Sequence, residues 1–393
     1  MKADVVVVGG GAVGLIAAKT LVENGLETIL LEEHEEIGKP EHCAGLFSII
    51  NFKRLGIPFS ERYIENRVRG AVFHSPGGRR IELDAGRTVA IVTSRSSLDC
   101  FLAEEFERKG GSIILKDKVI DISFSRNNTE VKTKNGIVIK AKKVINAEGV
   151  ASVLLRKILK KTTERKKWIP IIQLWVRNHS LDPEYVYLYF EEYLPEFFAY
   201  LIPVNDEVGK LGIASRTKLK TKLDKFIKEK FPDIQIMRSV SHAVYTGRPL
   251  KPDLDSTFIP IGDVAGHVKA STGGGVIMGG LIAKNICEII ALEIMGDLES
   301  TRYRRRNVES LLRELDRIAI TMKFLRSLPT KTIDRLFKII DESNLVSEFS
   351  KKADMDFQFT SLIKILMKPQ NLSKLLVASI IGSLQTSLLK VGP

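Results

Sequence analysis

The chain has 393 residues, of which 44% are hydrophobic and 27% are charged, and its formal net charge is +13. A chain this long and this apolar can build two or three packed domains, which excludes a disordered protein. The basic residues are spread along the chain without zinc-finger spacing or an RNA-binding aromatic motif, which argues against nucleic acid as a partner. An anionic partner such as a phospholipid headgroup or a diphosphate explains the positive charge as well.

The sequence also limits the compartment and the kind of site. The first hydrophobic run begins at Asp4 without a secretory leader, and no run of about 18 apolar residues predicts a membrane span. Cys43, Cys100 and Cys287 are too few for a disulfide framework and are not spaced like metal ligands. We therefore expect a protein without a metal that is cytoplasmic or peripheral to the inner face of the membrane.

Residues 4–33 predict a β-α-β unit with a glycine-rich turn. The β-branched run Val5–Val8 is typical of a strand buried on both faces of a parallel sheet. Gly9, Gly11 and Gly14 then give the spacing G-x-G-x-x-G ahead of a helix of small residues. The first glycine permits a tight turn, the second lets backbone amides approach a pyrophosphate, and the third lets helix and strand pack closely.

The same unit ends in an acidic pair. A second apolar run, Thr28–Leu31, leads into Glu32 and Glu33. An acid at the end of this strand is placed to accept hydrogen bonds from the ribose hydroxyls of an adenine dinucleotide, while the helix N-terminus attracts the phosphates. Strand, turn, helix, strand and acid follow in the order that the motif requires, so the sequence predicts dinucleotide binding.

Shorter elements follow along the chain. Residues 34–48 form a loop that is long for a connector, and such loops are usually functional. Val68–Phe73 and Arg79–Leu83 predict a hairpin around a Pro-Gly-Gly turn. Arg95 precedes an amphipathic helix, and residues 143–152 again indicate a strand, a tight turn and a helix.

The second half of the chain changes character. Alternating segments between residues 168 and 215 predict an antiparallel sheet with one solvated face. The strand Thr257–Ile261 leads into Gly262-Asp263, and a run of three glycines precedes a helix from Val276 to about Met295. From Thr301 onward the pattern predicts a helical and basic C-terminal region with an apolar tail.

Three separated motifs now line up. They are Gly9-x-Gly11-x-x-Gly14 with Glu32, Asn146-Ala147-Glu148-Gly149, and Gly262-Asp263 followed by Gly273–Gly275. Together with Arg95, they resemble the FAD-binding module of the para-hydroxybenzoate-hydroxylase-like flavoproteins. The resemblance implies an α/β fold with α+β elements: a doubly wound FAD-binding Rossmann-type domain, an antiparallel-sheet substrate domain and a helical C-terminal region.

The resemblance also implies roles for individual residues. In that family the carboxylate at the position of Asp263 binds the ribityl chain, and an arginine at the position of Arg95 helps to hold the dinucleotide. The later glycine loop and the helix N-terminus after it face the flavin pyrimidine and favour negative charge on the reduced ring. Glu148 replaces the more usual Asp. The predicted cofactor-binding residues are Gly9, Gly11, Ala12, Val13, Gly14, Glu32, Glu33, Cys43, Ala44, Gly45, Arg95, Ala147, Glu148, Gly149, Gly262, Asp263, Gly273, Gly274, Gly275 and Val276.

Two further stretches resemble the geranylgeranyl reductases, which hydrogenate isoprenoid double bonds. Lys39-Pro40-x-x-Cys43-Ala44-Gly45 is similar to their cysteine-glycine loop close to the flavin. The stretch 195–203 is similar to the motif Pro-x-x-Tyr-x-Trp-x-Phe-Pro, which lines their prenyl channel. Both prolines and the spacing hold, but Phe, Tyr and Ile replace Tyr, Trp and Phe. The resemblance implies substrate-binding roles for Phe198, Tyr200, Ile202 and Pro203.

Two of these assignments have alternatives. Phe198, Tyr200 and Ile202 share one face of a strand, so they are either channel lining or ordinary sheet core. Cys43 is the predicted catalytic residue, as a proton donor or as a gate over the flavin. It is alternatively an inert buried thiol or half of a disulfide with Cys287.

The sequence thus predicts an FAD-dependent reductase of geranylgeranyl chains, carried by an archaeal membrane-lipid precursor or by a diphosphate. The expected domains are an FAD domain (1–55, 85–160 and 240–296), a substrate domain (56–84 and 161–239) and a helical C-terminal domain (297–393). The sequence contains no second G-x-G-x-x-G motif, so we expect no separate nucleotide-binding domain for the electron donor. The expected donor is NADPH, NADH or a ferredoxin. We expect a monomer. The alternatives are an aromatic monooxygenase of the same fold and a non-catalytic prenyl-lipid binding protein.

Overall fold

The computed structural model describes residues 1–125, 129–160, 162–343 and 345–368. Its strands are β1 Lys2–Val8, β2 Thr28–Leu31, β3 Leu46–Ser48, β4 Ile64–Val68, β5 Gly70–His74, β6 Arg80–Asp84, β7 Ala90–Thr93, β8 Ser112–Ile114, β9 Val119–Phe124, β10 Thr129–Thr133, β11 Val138–Asn146, β12 Trp168–Arg177, β13 Tyr185–Tyr189, β14 Ala199–Pro203, β15 Val208–Ala214, β16 Gln235–Tyr245 and β17 Phe258–Pro260. Its helices are α1 Ala12–Glu23, α2 Ile49–Arg54, α3 Arg95–Arg108, α4 Val153–Leu159, α5 Leu219–Lys230, α6 Val276–Met295, α7 Leu298–Leu325, α8 Thr330–Glu342, α9 Leu345–Lys352 and α10 Gln358–Leu366.

The first sheet is built around β1. This strand pairs in parallel with β2 and β11, and β8 and β17 extend the parallel part, while β10 and β9 add an antiparallel edge. Val8 lies opposite both Leu31 and Asn146, so the carboxyl ends of β1, β2 and β11 meet at one edge. Ligands of doubly wound sheets bind outside these ends. The topology therefore brings the glycine turn, the acidic pair and the motif at 146–149 together.

Close packing of α1 depends on glycine. A Cβ atom at Gly14 would lie 2.0 Å from the carbonyl oxygen of Gly9. On α6, a Cβ atom at Gly280 would lie 2.9 Å from side-chain atoms of Ile16 and Leu55. The missing side chains let α1 rest on β1 and let α6 rest on α1, which places the N-termini of both helices at the same end of the sheet.

The second sheet has the strand order β16-β12-β15-β14-β13-β5-β6 and is antiparallel except for the β13–β5 pair. The predicted hairpin is confirmed as β5 and β6. Alternation along β14 sends Leu201 into the core beneath α5, together with Leu223 and Phe226. Tyr200 and Ile202 point to the opposite face. This second face bounds the site described below.

The C-terminal helices complete the fold. Helix α7 packs along α6, and α10 packs against α7. Strands β3, β7 and β4 form a small antiparallel sheet with β7 in the middle. In the described part of the chain no helix combines the length and apolarity that crossing a bilayer requires. The predicted α/β class with a helical C-terminal region is confirmed, the domain boundaries stay a prediction, and the apolar tail beyond residue 368 lies outside the described residues.

Candidate active site

One cavity of about 1290 Å³ lies between the carboxyl edge of the first sheet, one face of the second sheet and residues 349–362. It brings the nucleotide motifs and β14 to one place. The predicted site residues that line it are Gly9, Gly11, Ala12, Val13, Gly14, Glu32, Glu33, Cys43, Ala44, Arg95, Ala147, Glu148, Gly149, Phe198, Tyr200, Ile202, Gly262, Asp263, Gly273, Gly274, Gly275 and Val276. Gly45 and Pro203 are not among the lining residues.

The turn between β1 and α1 presents backbone to the cavity. Gly9 has a φ of +106°, and a Cβ atom there would lie 2.4 Å from the carbonyl oxygen of Ala147. At Gly11, apart from its chain neighbours, no described heavy atom lies within 4 Å of the position that a Cβ would take. Helix α1 begins at Ala12 without a side-chain cap from Gly11. The first amides of the helix are therefore available to an anionic group.

The two acidic residues at the end of β2 make different contacts. The carboxylate of Glu32 is 11% exposed and accepts hydrogen bonds from the backbone N–H of Gly10 at 2.6 Å and of His34 at 2.9 Å. Glu33 instead pairs with Lys118 at 2.6 Å. Sequence reasoning missed the bond to Gly10, which orients the Glu32 carboxylate beside the glycine turn. The predicted contact of Glu32 with a ribose stays a prediction.

Glu148 uses its side chain to cap a helix. The carboxylate accepts hydrogen bonds from the backbone N–H groups of Val153, Leu154 and Leu155 at 2.8, 2.9 and 2.9 Å. These are the first free amides of α4, which an acid at this place satisfies. A ligand contact at residues 147–149 would therefore involve the backbone more than this carboxylate.

Asp263 presents an unpaired acceptor to the cavity. Burial raises the pKa of Asp263 to about 6, and the charge of Arg95 opposes that rise only partly. Among the described residues no donor contacts this carboxylate. The side chain is partly buried and faces the cavity, so the site suits a ligand that brings hydroxyl groups.

Arg95 carries an unpaired donor at the first turn of α3. Its side chain is 12% exposed, and Nη2 donates to both oxygens of Asp99, at 2.9 and 3.0 Å. Burial opposes the charged form, but the ion pair outweighs it and raises the pKa of Arg95. The Nε–H group is buried and lacks a partner within the described ranges. It is available to an acceptor on a ligand.

A buried ion pair supports the glycine loop ahead of α6. Lys269 begins this loop, and its ammonium group donates to Asp356 at 2.7 Å and to the carbonyl of Met355 at 2.8 Å. Gly273 has a φ of +70°, and Gly275 precedes α6 without a side-chain cap. The positive end of a 20-residue helix therefore faces the cavity. The same ion pair ties residues 355–356 of the C-terminal region to the loop.

Gly45 anchors the cysteine loop. Its φ is +75°, and a Cβ atom there would lie 2.2 Å from the carbonyl oxygen of Thr93. The backbone N–H of Thr93 donates to the Gly45 carbonyl at 2.9 Å. This contact explains why Gly45 packs behind the cavity while Cys43 lines it. The disulfide left open by the sequence does not form, since Cys43 and Cys287 are free thiols.

Gln173 on β12 links the cysteine loop to the second sheet. The Tyr200 hydroxyl donates to Gln173 Oε1 at 2.9 Å, and Gln173 Nε2 donates to the Cys43 carbonyl at 3.5 Å. Gln173 is fully buried. Sequence reasoning missed this residue, although a lone amide inside an apolar strand was a signal.

Part of the remaining wall is an apolar slot, which lies beside polar lining residues such as Asp354 and Gln358. Phe198, Tyr200 and Ile202 are 9%, 9% and 5% exposed, so they belong to the core of the sheet and line the cavity at once. Their place in the sheet core is confirmed, and their predicted contact with a prenyl chain stays a prediction. Other apolar residues of the slot are Leu46, Val186, Leu188, Phe349, Met355, Phe359 and Leu362.

The sequence is similar to those of several known proteins. A family model described as lycopene cyclase protein matches residues 4–169. An uncharacterized protein of Methanocaldococcus jannaschii is 28% identical over 372 residues, which cover 92% of this chain and 94% of that protein. The digeranylgeranylglycerophospholipid reductase of Methanococcus vannielii is 28% identical over 341 residues, which cover 81% of this chain and 87% of that protein. The resemblance to geranylgeranyl reductases is confirmed.

A solved structure supports the same fold. The geranylgeranyl bacteriochlorophyll reductase-like protein of Thermoplasma acidophilum superposes with a TM-score of 0.83 at 24% identity. The match covers 96% of this chain and 99% of that chain. A flavoprotein/dehydrogenase from Cytophaga hutchinsonii also shares the fold, with a TM-score of 0.70 at 14% identity over 98% of this chain and 100% of that chain.

The cavity suits FAD at the end where the glycine motifs lie. Within the described residues, the backbone of Gly11 faces open space, the carboxylate of Asp263 lacks a donor, and Nε of Arg95 lacks an acceptor. The N-terminus of α6 is also uncapped by a side chain. Each feature needs a polar partner that a pyrophosphate, a ribityl chain or a flavin ring can provide.

Proposed function

We propose that the protein is an FAD-dependent reductase that hydrogenates C=C double bonds of geranylgeranyl chains, carried by a membrane-lipid precursor or by geranylgeranyl diphosphate. The observation that carries this proposal is a single cavity in which the FAD motifs adjoin an apolar slot. The name of the Methanococcus vannielii relative supports the substrate class.

At the nucleotide end, backbone and charge hold the cofactor. The amides that follow Gly11 bind the pyrophosphate, and Asp263 accepts hydrogen bonds from the ribityl hydroxyls. Arg95 and the N-terminus of α6 favour negative charge nearby. When bound and reduced, FAD supplies the hydride for one alkene carbon.

In the slot, side chains position the alkene and exclude water. Phe198, Tyr200 and Ile202 contact the prenyl chain, whose binding is driven by about 0.8 kcal/mol for each buried methylene. An isolated alkene is a poor hydride acceptor, so a fixed and dry position is what this reaction needs most. The nearly complete burial of these side chains within the sheet provides that rigidity.

Cys43 donates the proton to the second alkene carbon in this proposal. Its thiol lines the cavity, and the loop is held by the Gly45–Thr93 and Gln173 hydrogen bonds. The guanidinium of Arg95 lies close enough to Cys43 to interact with it. Solvent then returns the proton to Sγ, so each turnover adds one hydride and one proton.

The remaining partners also belong to the proposal. The electrons come from NADPH, NADH or a ferredoxin that binds transiently. The protein works as a monomer at the inner face of the membrane, where prenyl lipids lie, and its net charge of +13 favours contact with anionic headgroups.

A mass spectrum of geranylgeranyl lipids after anaerobic incubation with dithionite-reduced holoprotein tests this function. Stepwise gains of two mass units are expected because each reduced double bond adds two hydrogens. The gains should disappear with Gly11→Ala or Asp263→Asn. Unchanged lipids, with hydroxylation of added aromatic compounds once air is admitted, would instead establish the monooxygenase. Prenyl-lipid binding without any retained FAD would establish the carrier protein.

A further inference from the structure

Exposed basic residues gather where the slot is bounded by α2, by the loop between β6 and β7, and by the end of α9. They are Lys53 on α2, Arg87 in the loop and Lys351 on α9, and all three line the cavity. We call these three residues the basic rim. Ile50 beside them is 62% exposed, so the cavity is open to solvent here.

Direct contacts hold the three elements of the rim together. The backbone N–H of Ile49 at the start of α2 donates to the Val89 carbonyl in the β6–β7 loop at 3.0 Å. The Asn51 side chain donates to Asp354 at 2.9 Å, which ties α2 to the segment after α9. Helix α9 packs against β6, the strand that leads into the loop. The three cations are therefore presented around one mouth.

The rim carries positive charge that no protein anion neutralises in the described ranges. Lys53, Arg87 and Lys351 form no salt bridge within residues 1–125, 129–160, 162–343 and 345–368. Their neighbour Lys352, by contrast, pairs with Glu348 at 3.2 Å. Three cations without a salt bridge in the described part of the chain, beside an apolar slot, are complementary to a molecule with an anionic head and an apolar tail.

We propose that the basic rim binds the phosphate group of the prenylated substrate, with the isoprenoid chain extending into the slot. This inference rests on the proposed function and deepens it. Phosphate oxygens form charge-assisted hydrogen bonds with the Arg87 fork and with the ammonium groups of Lys53 and Lys351. A phosphorylated glycerol lipid and a prenyl diphosphate share this chemistry, so the rim recognises the phosphate and the slot recognises the chain.

The test compares two triple variants with the same change in charge. Lys53→Gln/Arg87→Gln/Lys351→Gln removes the rim. Lys220→Gln/Lys225→Gln/Lys228→Gln is the matched control, because these exposed lysines lie on α5, which covers the opposite face of the second sheet. The rim side chains are exposed, so both variants are expected to fold and to retain FAD, which absorbance checks.

Four compounds in detergent micelles serve as probes: digeranylgeranylglycerol phosphate, geranylgeranyl diphosphate and the two corresponding alcohols without phosphate. Kd is measured by flavin fluorescence on oxidised holoprotein, and KM and kcat are measured after reduction with dithionite. The rim variant is expected to raise Kd and KM for the phosphorylated compounds about 10- to 100-fold, because three charge-assisted contacts are lost. Its kcat, and its Kd for the alcohols, should match the wild type.

Two further measurements, at different ionic strengths and with different headgroups, identify the nature and the source of the bound phosphate. Because the rim is exposed, raising the ionic strength should narrow the difference between wild type and rim variant. A larger loss for the glycerol phosphate identifies a lipid precursor as the source of the phosphate, and a larger loss for the diphosphate identifies the free prenyl diphosphate.

Several results overturn the rim proposal while the proposed function stands. These are equal losses for phosphates and alcohols, equal losses in the α5 control, or a wild type that binds alcohols as tightly as phosphates. Loss of binding only to anionic vesicles without prenyl lipid, with micellar Kd unchanged, would assign the rim to the membrane surface instead. A wild type that reduces none of the four compounds would overturn the proposed function, and the rim proposal with it.

Discussion

The two ends of the cavity are built in different ways. The nucleotide end consists mainly of backbone: the turn at Gly9, the open face of Gly11 and the uncapped start of α6. The slot end consists of side chains from distant parts of the chain, such as Tyr200 on β14 and Met355 after α9. Backbone sites arise from short motifs with fixed conformations, whereas side-chain sites depend on which elements the fold brings together.

This difference shows where each end is sensitive to change. At the nucleotide end, an added methyl group at Gly14 would overlap the backbone, and one at Gly11 would enter the open space of the cavity. At the slot end, neighbouring side chains can repack, so conservative changes alter substrate handling more than folding. Four predictions test this contrast, starting with the largest effect.

Gly14→Ala should destabilise the folded protein more than any other single methyl addition considered for this end. The added Cβ would lie 2.0 Å from the Gly9 carbonyl oxygen, and only a backbone shift can relieve that overlap. We expect a loss of about 3 kcal/mol in the free energy of unfolding. Urea unfolding of the apoprotein measures it. A stability equal to that of the wild type would show that the α1–β1 contact is not tight.

Gly11→Ala should leave the apoprotein stable but weaken FAD binding about 100-fold, which corresponds to about 2.7 kcal/mol. Apart from its chain neighbours, no described part of the protein lies within 4 Å of the new Cβ, so the methyl group would occupy space that the proposed pyrophosphate needs. Titration of apoprotein with FAD measures the affinity, and Gly14→Ala is the matched comparison. Unchanged FAD affinity would contradict the assignment of the turn to the pyrophosphate.

Asp263 should make the stability of the apoprotein depend on pH. Burial raises its pKa from 3.8 to about 6, so the folded state binds the proton more tightly than the unfolded state. The folded apoprotein should therefore lose about 2 kcal/mol as pH rises from about 4 to about 6, because a buried carboxyl group must ionise. Asp263→Asn should remove this loss and be the more stable apoprotein at pH 7.

Urea unfolding at several pH values measures the effect. Asp84→Asn is a control of opposite sign, since the hydrogen bond from Arg69 holds the pKa of Asp84 below its usual value. That variant should lose stability at neutral pH and not in acid. If wild type and Asp263→Asn keep a constant difference between pH 4 and pH 7, the Asp263 assignment is wrong.

Tyr200→Phe should have the smallest effect on folding, about 1 kcal/mol, because it removes one buried hydrogen bond to Gln173. The Cys43 loop would then lose part of its support, and we expect kcat for prenyl reduction to fall about 5-fold with FAD content unchanged. Tyr185→Phe is the control, since its hydroxyl contacts Asp84 at 3.1 Å and does not line the cavity. Equal activities of the two variants would show that the Tyr200 hydroxyl does not contribute to the reaction.

Much of the nucleotide end was predictable because its determinants are local. The order of strand, glycine turn, helix and acid in residues 4–33 predicted the β1-α1-β2 unit, and the helix start at Val276 was predicted at the residue where α6 begins. The role of Glu148 could not be predicted from the sequence. Its carboxylate caps α4, and nothing in the spacing of Asn146 to Gly149 distinguishes a cap from a ligand contact.

At the slot end, the sequence predicted only that one face of a strand is apolar. The alternation along β14 placed Tyr200 and Ile202 on one face, but Gln173 lies 27 residues from Tyr200 in the chain and joins it only through the sheet. The buried pair of Lys269 and Asp356 spans 87 residues. Periodicity and spacing cannot predict such a contact, because the contact depends on how α6, α7 and the C-terminal segment pack.

By itself, the sequence determined the dinucleotide motif, the strand and helix types and the apolar face of β14, since each follows from backbone conformation or from side-chain period over a few residues. Only the tertiary structure decided that Gly45 packs behind the cavity while Cys43 faces it, and that the basic rim assembles from three separate elements. The physical reason is that a cavity is the space left between packed elements, and its walls are set by long-range contacts that local sequence does not encode.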